Sequence, residues 1–269
     1  MTLTAWWTLS LQEMKKIFSY RATFWIQFIG SAGGEIAVAY LLWQAIYVQN
    51  SGDLIGGFTF AEMVRYYVFS ALLSRVIRGA ENFQISHEIY DGSLTRFLIY
   101  PGSYFSYKLS ERFSFLLITL LQAFAGVLGY TLIFHAETSS IFTVSGLTMS
   151  FFLAVYSAFF NFILTTIVEL VAFWVDNVWS LSMILRFITG FLSGMMLPLS
   201  LYPSWVQQIL NLTPFPSMIY IPVQLALGRA GAPQLFEALL IITAWLIPLG
   251  FGLNLVWKNG VRRYTGVGQ

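Results

Sequence analysis

Apolar residues run through this chain in long blocks separated by short polar joints. Six blocks are long enough for helices that cross a bilayer: 22–47, 60–77, 113–134, 142–175, 178–199 and 235–257. About 20 consecutive apolar residues span a hydrocarbon core of about 30 Å as a helix. The expectation is therefore all-α, a polytopic membrane protein with six transmembrane helices. The first block exceeds the core of about 7–15 residues in a cleavable signal peptide and reads as a retained anchor. Ahead of it, Trp6, Trp7, Leu11, Met14 and Phe18 recur at helical spacing, with Gln12, Lys15 and Lys16 on the other side. A basic helix with an aromatic apolar face lies in the membrane surface, so 1–21 reads as an interfacial helix.

Two stretches break the pattern. The longest polar connection is 78–112. Within it Ile85, Ile89 and Tyr90 predict a short amphipathic helix and Asp91-Gly92 a turn. Leu94, Phe97 and Leu98 predict a second helix, which Pro101-Gly102 stops. The other stretch, 190–228, holds five of the eight prolines, Pro198, Pro203, Pro214, Pro216 and Pro222, yet is mostly apolar. Proline removes a backbone donor, and in hydrocarbon every freed backbone group needs an internal partner. This predicts a fifth span ending near Leu199, a short helix over 204–212 and an extended return through 214–216. Together they form a re-entrant hairpin over 198–234 that caps one end of the bundle.

Basic residues orient the chain. Lys15, Lys16, Arg21, Arg78, Arg96, Lys108, Arg112, Lys258, Arg262 and Arg263 fall on the N-terminal helix, the 78–112 loop and the tail. The opposite loops hold Arg229, with Arg65 near that border. By the positive-inside rule both termini and 78–112 are cytoplasmic and the proline-rich stretch is outside. The sequence shows no internal repeat, against transporters built from two similar halves.

Composition agrees. The chain is 57% hydrophobic and 10% charged, against about 25% charged in soluble domains, and its mean hydropathy is +0.71. A net charge of +2 with dispersed basic residues gives no nucleic-acid surface. With no cysteine there is no disulfide, thiolate metal site or cysteine nucleophile. His87 and His135 are isolated and make no metal site. No G-x-x-x-x-G-K-[ST], H-E-x-x-H or G-x-S-x-G motif is present, so catalytic residues are not expected in this chain.

Polar residues inside the apolar blocks are the remaining candidates. Glu35 sits near the middle of the first span, where a carboxylate costs about 2.5–3.5 kcal/mol and is a functional candidate by default. Facing a cavity, it would favour a cationic group, with aromatics such as Phe187 and Phe191 adding cation–π contacts. Alternatively it bonds to a neighbouring helix. Glu62 and Arg65 are spaced to pair on one face. Glu169 and Arg186 flank the Asp176 turn at comparable depth and predict an ion pair between spans four and five. Small-residue patches at Gly30, Ser31, Gly33 and Gly34, and at Gly190 and Gly194, let helices approach closely, within one subunit or between two.

Two motifs carry a resemblance. Glu88-Ile-Tyr-Asp-Gly-Ser-Leu-Thr-Arg-Phe-Leu-Ile-Tyr-Pro101 resembles the E-I-x-x-G-x-L-x-x-x-L-x-x-P signature of ABC-2 type exporter permeases. Leu192-Ser-Gly-Met-Met-Leu-Pro-Leu-Ser-Leu-Tyr-Pro203, with Leu212-Thr-Pro-Phe215 and Tyr220-Ile-Pro222, is similar to that superfamily's S-G-x-x-x-P-x-x-x-x-P and L-P-F pattern. Ala172-Phe-Trp174 with Asp176 fits a subfamily of about this length. The resemblance covers nearly the whole chain, read as one transmembrane domain over 1–269. It implies a permease subunit of an ATP-driven exporter in a bacterial inner membrane, moving an amphiphilic or cationic hydrophobic compound outward. It implies partners: separate ABC ATPase subunits, which carry the ATP and Mg, a second permease, identical or homologous, and membrane lipid. Carried over, Ser86, His87, Glu88, Ile89, Tyr90, Asp91 and Gly92 form the coupling helix. Spans one, two and five face the second permease, and Pro198, Pro203, Trp205, Pro214 and Phe215 form an outer gate. Rival expectations are a lipid or polysaccharide exporter permease, an intramembrane enzyme, and an ATP-independent carrier or channel.

Overall fold

The structure, a computed structural model, describes residues 3–19, 21–50, 54–79, 83–100, 102–134 and 143–266. Pro101, His135 and Phe142, where the fourth expected span begins, lie outside them. The fold is 80% helical, with no strand among the described residues. In chain order the helices are α1 (Leu3–Ser19), α2 (Arg21–Gln49), α3 (Phe60–Arg78), α4 (Gln84–Tyr90), α5 (Leu94–Ile99) and α6 (Tyr104–Ile133). Then follow α7 (Val144–Leu170), α8 (Trp179–Leu192), α9 (Ser204–Leu210), α10 (Tyr220–Ala226) and α11 (Ala232–Val261).

Among the described residues four helices are long and apolar enough to cross a membrane: α2, α6, α7 with the 3-10 turn Val171–Phe173 that continues it, and α11. The other two expected spans are shorter. Helix α3 is the heart of the bundle rather than a lipid-facing rod: Met63, Tyr66, Phe69, Leu73, Val76 and Ile77 are all buried. Thr59 opens it with a reciprocal cap, accepting from the Glu62 N–H while the Glu62 carboxylate accepts from the Thr59 N–H. Glu62 also pairs with Arg229 at 2.6 Å, not with Arg65, whose Nε donates to the Ala61 carbonyl. The expected Glu62–Arg65 pair is thus replaced by one that ties the start of α3 to the loop before α11.

Helix α8 covers 14 residues, about 21 Å at 1.5 Å per residue, less than a hydrocarbon core. It ends at Leu192, not near Leu199. Gly194 there takes φ +86°, its carbonyl accepts from the Tyr66 hydroxyl at 2.6 Å, and Leu199 and Tyr220 leave no room for a Cβ. The expected helix over 204–212 is present as α9. The expected extended return through 214–216 is instead a series of tight turns that leads into α10, a helix hidden from sequence reading by Pro222 in its first turn. Helix α10 is among the most buried elements, with Val223, Leu225 and Ala226 fully enclosed against α7 and α3. The Leu225 carbonyl lies against Gly146 so closely that a Cβ there would stand 2.6 Å from it. The proline-rich stretch therefore re-enters the bundle, and its backbone breaks are packed on protein, as hydrocarbon demands of backbone groups freed from a helix.

The third long helix starts at Tyr104 rather than at 113, which narrows the polar connection to 79–103. Helix α1 crosses α6: Trp6 packs on Phe113, and Ser10, buried at the crossing, accepts at its carbonyl from the Ser114 hydroxyl. Main-chain direction alternates, so the bundle has two distinct ends. One gathers 54–59, α9, α10 and Arg229. The other gathers α4, α5 and the tail, where Tyr264 donates to the Gly92 carbonyl at 2.7 Å.

Candidate functional site

At the end that carries α4, a second hydrophobic cluster forms apart from the main core. Ile85 and Ile89, four apart on one helical face, bury against Leu94, Tyr104, Leu170, Phe173 and Val178. The polar residues of the same face are buried with them. Glu88 is 4% exposed; its Oε2 accepts from the Tyr104 hydroxyl at 2.6 Å and its Oε1 from the Lys108 ammonium at 2.7 Å. Lys108, also 4% exposed, reaches Glu111 at 3.0 Å and lies over the rings of Phe97, Tyr104 and Tyr107. Two carboxylates and three ring faces thus answer one ammonium, which is how a charge survives away from water. Tyr104 in turn stacks on Trp257 of α11, 5.1 Å between centroids.

A second anchor holds the start of α4. The Glu169 carboxylate, from the last turn of α7, accepts from the Ile85 N–H at 2.9 Å and the Ser86 N–H at 3.3 Å. The expected Glu169–Arg186 pair is not formed, because Glu169 is committed to these backbone donors; Arg186 lies over the Phe83 ring, 5.9 Å from its centroid. Phe83 holds φ +50°, rare for a bulky residue. After α4, the Asp91-Gly92 turn is present: Asp91 Oδ1 accepts from the Ser93 N–H at 2.9 Å and Gly92 takes φ +76°. The Ser93 hydroxyl and N–H hold the exposed Asp91 carboxyl below the ordinary carboxylate range.

The expected coupling residues thus divide into two sets. Ser86, Glu88 and Ile89 face the bundle and are buried; His87 and Asp91 face outward; Tyr90 is half-buried and donates to the Val175 carbonyl at 3.0 Å. Side chains thus join α4 to α6 through Glu88 and to α7 through Glu169, and Tyr104 carries the contact on to Trp257 of α11.

Beside α4 the structure opens a cavity of about 1190 Å³. Helices α1, α5, α6, α7 and α8 line it along with α4, and it runs from the α4 end past Asn161 and Thr189. The lining was not anticipated from sequence as a unit, though each wall leaves a trace: Ser182, Arg186 and Thr189 on α8, and Asn161, Thr165 and Glu169 on α7, recur at helical spacing within apolar helices.

The other candidates lie elsewhere. Glu35 is on α2, outside the cavity; Arg75 and Arg78 of α3 act on its carboxylate, and Arg75 also donates to the Ser31 hydroxyl. Phe187 and Phe191 stack on each other on the outward face of α8. Gly30, Gly33 and Gly34 meet nothing within 4 Å, so that face of α2 is open, whereas Gly190 and Gly194 pack inside the chain, against Arg78 and Tyr66. Pro198 and Pro214 are buried, Phe215 is half-buried, and Pro203 and Trp205 are exposed at the far end from α4.

Four long apolar helices around a buried helical centre make this a multi-pass helical membrane protein. The sequence model described as ABC-2 family transporter protein matches residues 34–268, and the chain belongs to that family. It is accordingly a membrane component of a transporter, and the family implies association with ABC ATPase components. No curated protein matches the chain.

Proposed function

We propose that the chain is the permease subunit of an ATP-driven exporter that carries an amphiphilic compound across a bacterial inner membrane. The observation that carries this reading is α4: a short helix with two outward polar residues, fixed by buried charged contacts to α6 and α7 and, through the Tyr104–Trp257 stack, to α11. A separate ATPase subunit, holding the ATP and Mg, grips His87 and Asp91, and its closure turns α6, α7 and α11 together. The α4 end is cytoplasmic. Lys15, Lys16, Arg96 and Arg263 cluster there against Arg65 and Arg229 at the other end, in keeping with the positive-inside rule. Helices α3 and α8 complete six crossings, α8 with help from the broken segment after it, while α1 lies in the membrane surface. A second permease, identical or homologous, covers the open face of α2. The stretch from Pro198 to Phe215 closes the outer exit. Glu35 is exposed on the open face of α2, outside the cavity beside α4, with Arg78 and Arg75 of α3 acting on its carboxylate, so the reading keeps the amphiphile and assigns it no charge.

The absence of cysteine gives a clean test. A single His87→Cys carrying a photo-crosslinker, in the purified complex with its ATPase, is expected to join the two subunits in a nucleotide-dependent manner; Trp205→Cys is not. Efficient joining from Trp205 and none from His87 would reverse the orientation and remove the coupling role.

A further inference from the structure

We propose that Thr23, Gln27, Ser31 and Glu35 of α2 form a hydrated track from the cytoplasmic side to the middle of the membrane, and that the uncharged, hydrogen-bonding head of the amphiphile travels along it. This rests on the permease reading above and adds the chemical class of that head. The four residues stand at i, i+4, i+8 and i+12, so they make one row up the helix, each about 40° on from the last. At 1.5 Å per residue the row rises about 18 Å, from the first turn of α2 to its centre. All four are exposed, and Gly30, Gly33 and Gly34 beside them meet nothing within 4 Å.

Hydrocarbon offers these side chains no partner. Polar groups within a span need one, and ionisable residues there face the bundle interior or water. Ser31 is answered inside the chain: its hydroxyl donates to the Gln27 carbonyl at 2.7 Å and accepts from the Arg75 guanidinium. Among the described residues no hydrogen bond ties the side chains of Thr23, Gln27 or Glu35 to the bundle. Arg78 and Arg75 act on the Glu35 carboxylate through space, so its charge is answered from behind the row. Towards the open side the row presents hydroxyl, amide and carboxylate oxygens, which suit a head that forms hydrogen bonds and carries no charge. Beyond Glu35 the same face continues as Val38, Leu41 and Leu42, exposed and apolar. The track therefore stops at mid-membrane, and the apolar half above it is the closed part of the path. The second permease, set over this face in the reading above, walls the track off from lipid.

The test uses inside-out membrane vesicles that carry the full chain with its ATPase. Thr23→Cys, Gln27→Cys and Ser31→Cys are made singly and treated with a membrane-impermeant methanethiosulfonate. Each is expected to react about tenfold or more faster than Ile29→Cys or Val38→Cys, because a thiol in apolar surroundings ionises less. Row cysteines as slow as these two controls mean that lipid or a dry helix contact covers the row, and overturn the proposal. Octyl glucoside below its micellar concentration is expected to slow the reaction at residue 31 about threefold or more, and octyl sulfate and octyltrimethylammonium to slow it less. Stronger protection by either charged amphiphile overturns the uncharged head, and no protection by any of the three overturns its passage along the row. Copurification of each variant with the ATPase shows that it still folds. None of these failures touches crosslinking from His87→Cys, so the coupling reading stands or falls separately.

Discussion

Gly79, where the chain leaves α3, shows how much can depend on a missing side chain. It takes φ +65°, and a Cβ would fall on the guanidinium of Arg112. That guanidinium donates to the carbonyls of Ile77 and Arg78, two of the last acceptors of α3. Gly79→Ala is therefore expected to cost at least about 2 kcal/mol, from the left-handed backbone and the displaced arginine together. Gly129→Ala, in open space on α6, should be neutral or slightly stabilising. Thermal unfolding in detergent compares the two, and equal midpoints would contradict the packing described. Lys108 makes the opposite case. Lys108→Met leaves Glu88 and Glu111 facing each other without their cation, an expected loss of about 3–5 kcal/mol. Adding Glu88→Gln to it should recover at least about 1 kcal/mol, since the pair is coupled. Strictly additive losses would show that Glu88 and Lys108 do not depend on each other.

At the scale of elements, α4 is seven residues long and could not persist alone in water. What holds it is Glu169 at its start and the apolar face beneath it. Glu169→Ala is expected to speed hydrogen exchange at Ile85 and Ser86 while the amides in the middle of α3 stay protected; unchanged exchange at both would assign the anchoring elsewhere. This helix was legible in the sequence because Ile85 and Ile89 are spaced as one face and Asp91-Gly92 marks its end, signals that lie within a few residues. The re-entrant character of 190–228 was legible for the same local reason, its prolines. Helix α10 was not, because Pro222 reads as a breaker and only burial against Gly146 and α3 shows that its first turn tolerates the missing donor. The commitments of Glu62 and Glu169 were also out of reach: each finds a partner more than eighty positions away, and spacing along one helix says nothing about that. The cavity failed to show for a related reason, since its walls are stripes on five or more elements that the fold alone brings together.

For the whole molecule, the uneven burial of its long helices sets the expectation. Helix α2 keeps Ile26, Ile29, Val38 and Leu41 exposed alongside Gly30, Gly33 and Gly34, while α3 behind it is enclosed. Lipid alone can cover such a face, but small residues in a row permit the closest approach of a second helix. Gly33→Cys is expected to give a disulfide-linked pair of chains on oxidation in membranes, with Gly129→Cys on α6 remaining single. The reverse result would move the contact between permeases to another face. Tyr264, near the tail, clips onto Gly92 and meets the Thr95 hydroxyl at 3.1 Å, which bears on how the protein is handled at the bench. A bulky label fused behind it would sit beside His87 and Asp91, the surface proposed above for the ATPase subunit. Reporters belong instead in the loop around Leu54, at the opposite pole, if turnover is to be measured undisturbed.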